Sequence, residues 1–280
     1  ATDLRNRACE LQAVEGCVLL AKDLKVAERK KAQQLFQQSC DHGNAEGCDQ
    51  LGMMLLEGDK PKGKSASKLF DKSCRGEHPF GCYNQAKQLE DGLGIEKNQA
   101  HAVALYSRAC VLGSGFSCFT YGLRQEAGEG LPADALAALQ SYGRACELGS
   151  TEGCVNGGIT AEKLNRTKES ITLFEQGCEG AEAGACALLA NLYQTGAGVT
   201  ADLKRARELY QQACKMGDAR SCQQANQMQG SIDELLQRCE RSDSQACYAA
   251  ANRYEDGNLA IQNNEKALIF ATKACALGLA

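Results

Sequence analysis

The sequence has no tryptophan, three prolines and three histidines, and aromatic residues make up 5% of its 280 positions. Histidine this scarce argues against a His-rich catalytic or metal site. No apolar run approaches the ~18 residues a membrane span needs. Positive charge is not in surplus: 31 basic residues meet 35 acidic ones, for a net charge of −4. A nucleic-acid-binding chain would carry a basic excess or a basic stripe. The chain starts at Ala1 without a charged leader and apolar stretch, so any signal peptide is expected to have been removed already. A hydrophobic content of 44% with 24% charged residues is that of a folded chain and excludes disorder.

What is abundant is cysteine, 17 residues in all. They fall as Cys9/Cys17, Cys40/Cys48, Cys74/Cys82, Cys110/Cys118, Cys146/Cys154, Cys178/Cys186, Cys214/Cys222 and Cys239/Cys247, with Cys275 alone. Every pair is a C-x7-C unit, and successive first cysteines lie 31, 34, 36, 36, 32, 36, 25 and 36 residues apart. A period near 36 is that of helical repeat arrays. Each period reads alike. A short helical segment follows the second Cys, as in 48–57, and stops at a glycine such as Gly58. A polar linker leads to a second amphipathic segment that ends at the next first Cys. Phe70, Tyr106 and Tyr210 stand four residues before that Cys and share its helix face. Gly43, Gly113, Gly149 and Gly217 mark the turn between paired cysteines. Sustained strand alternation is absent. The expected fold is all-α, a helix A and a helix B per repeat.

One Cys then ends helix B and the other begins the next helix A. Antiparallel helices joined by a short turn bring such positions together, and a disulfide needs Cα atoms about 4.4–6.8 Å apart. Closing each loop would remove roughly 2.5 kcal/mol of unfolded-chain entropy. Zinc is the competing reading, but its motifs favour closer C-x2–4-C spacing with four converging ligands. Disulfides within the eight pairs are therefore the favoured reading, and no metal or cofactor is expected. Cys275-Ala-Leu-Gly278 repeats the start of such a turn. Its partner would fall at 283, leaving Cys275 unpaired, as a truncation scar, a free thiol or an intermolecular bridge.

Gly-x-Gly-Val followed by Ala-x2-Leu-Tyr-x2-Ala-Cys, as in the stretch from Cys186 through Val199 to Cys214, resembles Sel1-like repeats. The paired cysteines are similar to those of the Helicobacter cysteine-rich proteins. The resemblance covers nearly the whole chain. It implies an α/α solenoid related to tetratricopeptide arrays, a right-handed superhelix stapled by disulfides. Residues 1–280 would form one solenoid of about eight repeats, the first and last incomplete. The family hosts adaptors, secreted virulence factors and immunity-type binders, and some cysteine-rich members were described as penicillin-binding or weak β-lactamases. Residues 214–239 depart from the pattern, being eleven shorter than a full period. Either both helices there are short or the linker, Gly230-Ser-Ile-Asp, is nearly gone, and a notch or change of curvature is expected. The 146–178 repeat is four residues short, with the sequon Asn165-Arg-Thr167 at its turn.

Ser65-Ala-Ser-Lys68 spells S-x-x-K, the nucleophile motif of penicillin-recognising serine enzymes. Composition alone supplies about one such match, and the companion S-D-N and K-T-G motifs are absent. His42 and His78 occupy corresponding turns and His101 a helix B, so none is expected to be catalytic. Gly92-Leu-Gly94 and Gly196-Ala-Gly198 follow helices rather than strands, and read as helix stops rather than phosphate loops.

Numbering helix A from its Cys as zero, positions 0, 3, 4 and 7 form a packed face. Positions 2, 5, 6 and 9 oppose it, and in tetratricopeptide-like arrays this side lines the concave surface. There stand Gln50, Met53, Met54, Asn84, Lys87, Gln88, Thr120, Arg124, Asn156, Asn191, Gln224, Gln227, Asn252 and Arg253. Met among hydrogen-bonding residues suits a protein or peptide surface. The expected function is a non-enzymatic scaffold binding a protein or peptide, monomeric, with no nucleic acid and no membrane span. Its cysteines place it in a periplasmic or secreted, oxidising compartment. It would serve as a virulence factor or a toxin-neutralising immunity protein. The alternative is a weak β-lactamase or penicillin-binding activity.

Overall fold

The computed structural model describes residues 5, 9, 14–24, 28–57, 61–255 and 263–278, with the side chains of 227 and 229–233 excepted. Two compact units divide the chain, 1–153 and 154–280. All regular structure among the described residues is helical: α1 Val14–Leu24, α2 Arg29–Asp41, α3 Ala45–Leu56, α4 Gly63–Arg75, α5 Pro79–Asp91, α6 Gln99–Val111, α7 Gly115–Ala127 and α8 Ala135–Glu147. Then follow α9 Thr151–Lys163, α10 Thr167–Glu179, α11 Ala183–Thr195, α12 Leu203–Lys215, α13 Ala219–Glu240, α14 Ser244–Glu255 and α15 Asn264–Ala276. Successive helices pair as hairpins, the architecture of an α/α solenoid. The A helices are α1, α3, α5, α7, α9, α11 and α14, and most helices run 11–13 residues.

The hairpin is locked by one aromatic residue. Phe36, Phe70, Tyr106, Tyr142 and Phe174, four residues before the Cys of helix B, are at most 1% exposed. Each needs a small residue opposite, four residues into helix A. A Cβ on Gly52 would sit 2.6 Å from the Phe70 ring, and one on Gly158 would sit 2.3 Å from the Phe174 ring. Where the aromatic is tyrosine, its hydroxyl donates to a helix-A residue sixteen positions earlier: Tyr106 to Glu90 at 3.1 Å, Tyr142 to Glu126 at 2.9 Å, Tyr210 to Gln194 at 2.9 Å. Burial of the ring, then the adjacent carboxylate, pushes the Tyr106 and Tyr142 phenols well above their ordinary range, so both stay protonated donors.

The turns between repeats carry the disulfides. Seven bridges, Cys9–Cys17, Cys40–Cys48, Cys74–Cys82, Cys110–Cys118, Cys178–Cys186, Cys214–Cys222 and Cys239–Cys247, hold Cα atoms 4.4–4.6 Å apart. Cys146 and Cys154 are also disulfide-bonded, and Cys275 is free and exposed. Three residues after the first Cys of every pair from Cys40–Cys48 onward the chain turns through positive φ. Gly43, Gly113, Gly149 and Gly217 supply it at +86° to +99°, whereas Glu77, Ala181 and Ser242 adopt +61° to +66° with a side chain attached. The Gly-x-Gly linker does two jobs. Gly92 caps α5 in the left-handed region, and Gly94 lies against Gly63 at the start of α4, where a Cβ would meet backbone at 2.8 Å. Gln88 fixes that contact, donating to Gly63 O at 2.7 Å and Leu93 O at 2.8 Å.

Of the two readings of the shortened repeat, two short helices or a nearly lost linker, the structure takes the second to its limit. The repeat is one helix, α13, 22 residues long or about 33 Å. Cys222 near its start is bonded to the end of α12, and Cys239 near its end to the start of α14. At 1.5 Å per residue the two attachment points are about 26 Å apart. Ala225 and Met228 pack in the α12 core, whereas Leu236 packs against the Tyr254 and Ala267 cluster and Cys239 lies in the cluster that Phe270 of α15 covers. Eleven residues are three turns plus about 20°, so both ends use one stripe of the helix.

Candidate functional site

Exposure places the free side of helix A more narrowly than sequence spacing did. In unit 1 the outward stripe consists of positions −2, 2, 5 and 9. These are Glu46, Gln50, Met53 and Glu57 on α3, Phe80, Asn84, Lys87 and Asp91 on α5, and Phe116, Leu123 and Ala127 on α7, where position 2, Thr120, is the buried exception. Of the expected binding residues, Gln50, Met53 and Asn84 are half-buried there and Lys87 is exposed. Position 6 turns inward instead. Met54 is 4% and Gln88 0% exposed, and Gln88 is committed to the linker contact above. Thr120 is also buried, its hydroxyl donating back to Phe116 O at 2.9 Å. These three cannot meet a ligand: Met54 and Gln88 stand at position 6, 240° from the Cys and turned inward, and Thr120, though at position 2, is buried with its hydroxyl turned back onto its own helix.

In unit 2 Asn156, Gln224, Asn252 and Arg253 are half-buried and Asn191 is exposed. The side chain of Gln227 lies outside the described residues. Its neighbour Met228 is buried in the α11–α12 core.

Several polar residues on this side tie one repeat to the next. Asn84 donates to Asp49 Oδ1 at 2.7 Å. Arg124 forks onto Glu90 at 2.7 and 2.9 Å and reaches Glu129 at 2.9 Å, with side chains of Arg124 and Glu90 only 22% and 16% exposed. On the helix-B side, Lys72 donates to Cys40 O at 2.6 Å and Arg108 to Cys74 O at 3.2 Å. Apart from Arg124–Glu129, each bond spans 32–35 residues, one repeat. Arg124 is thus a structural tie. Its charge is taken up by two carboxylates.

Sequence reasoning missed Phe80 and Phe116, which are 55% and 51% exposed. The signal was present: position −2 is one turn before position 2 on the same face. Tyr83 bridges the two helices, its ring 5.3 Å from Phe116 in an edge-on contact.

Features that suggested other chemistry are dispersed. Ser65 and Lys68 lie in the opening turns of α4, both exposed. His42 ends α2 with Nδ1 2.7 Å from Gln38 O, His78 precedes α5, and His101 is exposed on α6. Among the described residues no group of three or more His, Cys, Asp or Glu could hold a metal ion, and no helix is long and apolar enough to cross a membrane.

Against known proteins, the Sel1 repeat family matches residues 25–44, 45–78, 79–114, 116–150, 183–218 and 244–279, well over half of the chain. The stretches between include the two shortened repeats. No curated protein matches significantly. Among solved structures, the chain is similar to a protective antigen of uropathogenic Escherichia coli strains that displays an SLR fold. The TM-score is 0.69 at 18% identity, covering 100% of this chain and 65% of that one. The chain therefore spans just under two thirds of that antigen's length. A Sel1 repeat protein from Oxalobacter formigenes aligns with a TM-score of 0.55 at 22% identity, over 92% of this chain and 96% of that one. Helicobacter pylori cysteine-rich protein B is 27% identical, with a TM-score of 0.39, over 48% of this chain and 95% of that one.

Proposed function

The chain belongs to the Sel1 repeat family, and from that premise we propose that it is a non-enzymatic, exported scaffold whose helix-A stripes bind a protein or peptide. The observation that carries this reading is the make-up of those stripes. Amide side chains recur on them, Gln50, Asn84, Asn156, Asn191 and Asn252, beside the partly exposed apolar side chains of Met53, Leu123, Ile159 and Leu188. An amide both donates and accepts, which suits main-chain peptide groups, and apolar neighbours suit the side chains of a partner. Repeat arrays bind along such surfaces. Sixteen disulfide-bonded cysteines support an oxidising compartment, periplasmic or extracellular. The scaffold acts as a monomer, either as a virulence factor or as an immunity protein that neutralises a toxin.

The test is retention of a partner by the oxidised protein from native extract, repeated with Gln50→Ala, Asn156→Ala, Asn191→Ala and Asn252→Ala combined. A partner held by the parent and lost by the variant is expected. Equal retention by both would overturn the reading. A parallel β-lactam hydrolysis assay is expected to show no turnover, since Ser65 and Lys68 stand in open solvent.

A further inference from the structure

We propose that the helix-A face of unit 1 takes an uncharged, apolar peptide segment, with Phe80 and Phe116 as the anchoring rings. This rests on the reading of that face as a binding surface and names the class of partner.

Three observations lead there. First, two phenylalanines on adjacent A helices stand more than half exposed, at 55% and 51%. The corresponding position elsewhere holds Glu15, Glu46, Glu152, Gly184, Arg220 or Gln245. Exposed aromatic pairs of this kind mark binding surfaces, because burying each ring removes a large apolar area from water. Tyr83, three residues after Phe80 on α5, makes an edge-on contact with Phe116 at 5.3 Å, which brings the two helices' aromatic side chains to the same neighbourhood.

Second, the charges on the three stripes are already neutralised. Glu46 pairs with Lys22, Glu57 with Arg29 at 3.0 Å, and Lys87 with Asp91 at 3.1 Å. Behind them Arg124 is held by Glu90 and Glu129. An acidic or basic tail would have to break these pairs to find a counter-charge. An uncharged segment leaves them intact.

Third, the spacing suits an extended chain. Tyr83 of α5 touches Phe116 of α7, so the two helices are neighbours here, and three residues of a polyproline-II-like chain advance about 9.3 Å and return to the same side. Two apolar side chains three residues apart would then reach Phe80 and Phe116. The half-buried Gln50 and Asn84 lie alongside to meet its peptide groups.

The experiment is selection of a random-peptide library, displayed on phage, against the immobilised oxidised full chain. Binding of the recovered peptides is then measured with Phe80→Ser, with Phe116→Ser and with Gln50→Ala/Asn84→Ala. Both phenylalanines are exposed, so the serine variants are expected to fold, which circular dichroism and intact disulfide mass check. The proposal expects recovered peptides rich in apolar residues three apart, poor in charge, and weakened about tenfold by either serine change. Affinity should change less than about twofold with ionic strength, as the Debye screening of exposed charges is irrelevant to it. Charged consensus peptides, steep salt dependence, insensitivity to both serine changes, or no enrichment would each overturn it. Loss only with Gln50→Ala/Asn84→Ala would keep the helix-A face as a binding surface and remove the aromatic anchor. A wild-type dimer dissolved by the serine changes would assign the patch to a second copy and overturn the proposal.

Discussion

Ala181 occupies a turn position that four other repeats give to glycine. Its φ of +63° is the left-handed region, where a Cβ crowds the following carbonyl. Ala181→Gly is expected to raise stability by about 1 kcal/mol, read as a higher denaturant midpoint, and a lower midpoint would contradict the strain. The opposite change tests packing. In Gly158→Ala the new methyl would lie 2.3 Å from the Phe174 ring. The ring is fully buried with no free volume to enter, so destabilisation of about 1–3 kcal/mol is expected in the same assay. The turn glycines and the helix-B aromatics were each legible in the sequence by their distance from a cysteine. Their partners were less so. That the aromatic at −4 meets the small residue at position 4 of helix A is a fact of hairpin packing, which no local period contains. Phe80 escaped notice because counting began at the cysteine rather than one turn before it.

Many helices here begin at a capping side chain, whereas α2, α4, α5 and α10 start without one. Asn98, Ser114, Asp134, Asp202 and Asn263 each accept a backbone N–H from the first turn of the following helix. Asp218 caps α13, accepting from Ser221 N at 3.0 Å and from the Ser221 hydroxyl, and these bonds hold its carboxyl below the usual range. Asp243 accepts from Ala246 N at 3.0 Å and from Arg238 at 2.8 and 3.0 Å, with the same effect. A carboxylate whose pKa is lower folded than unfolded adds stability above its unfolded value, about 3.9 for Asp. That contribution disappears as pH falls through the folded value. Hydrogen exchange is therefore expected to show the first turns of α13 and α14 losing protection below about pH 4, and Asp218→Ala/Asp243→Ala should abolish that part of the pH dependence. An unchanged profile in the variant would contradict the assignment. At this scale sequence legibility ran out at α13. The 25-residue spacing announced a lost linker, with Gly230-Ser-Ile-Asp read as what was left of it. The apolar stripe of Ala225, Met228, Leu236 and Cys239 continues through in register, so one helix can serve two hairpins. Two short helices were an equal reading of that spacing.

For the chain as a whole, every described bridge is local, with paired cysteines eight residues apart. Non-reducing peptide mapping is expected to give neighbour-only linkages throughout, Cys146–Cys154 included, with Cys275 alkylated as a free thiol. Any linkage between different turns would contradict the repeat architecture. Apart from α13, the helical fold and the repeat period were readable along the described residues because chemistry, not propensity, marks each turn. The binding face was readable only in outline. Which polar residues face outward depends on ties such as Arg124–Glu90, and those span two repeats. The turn staple also has a mechanical side. Stretched from its ends under oxidising conditions, the chain could lose each helix in turn while the seven residues inside every closed loop stayed out of the load path. Its joints would outlast its struts, and each stapled joint would remain as a folded seed from which the neighbouring helices could rewind.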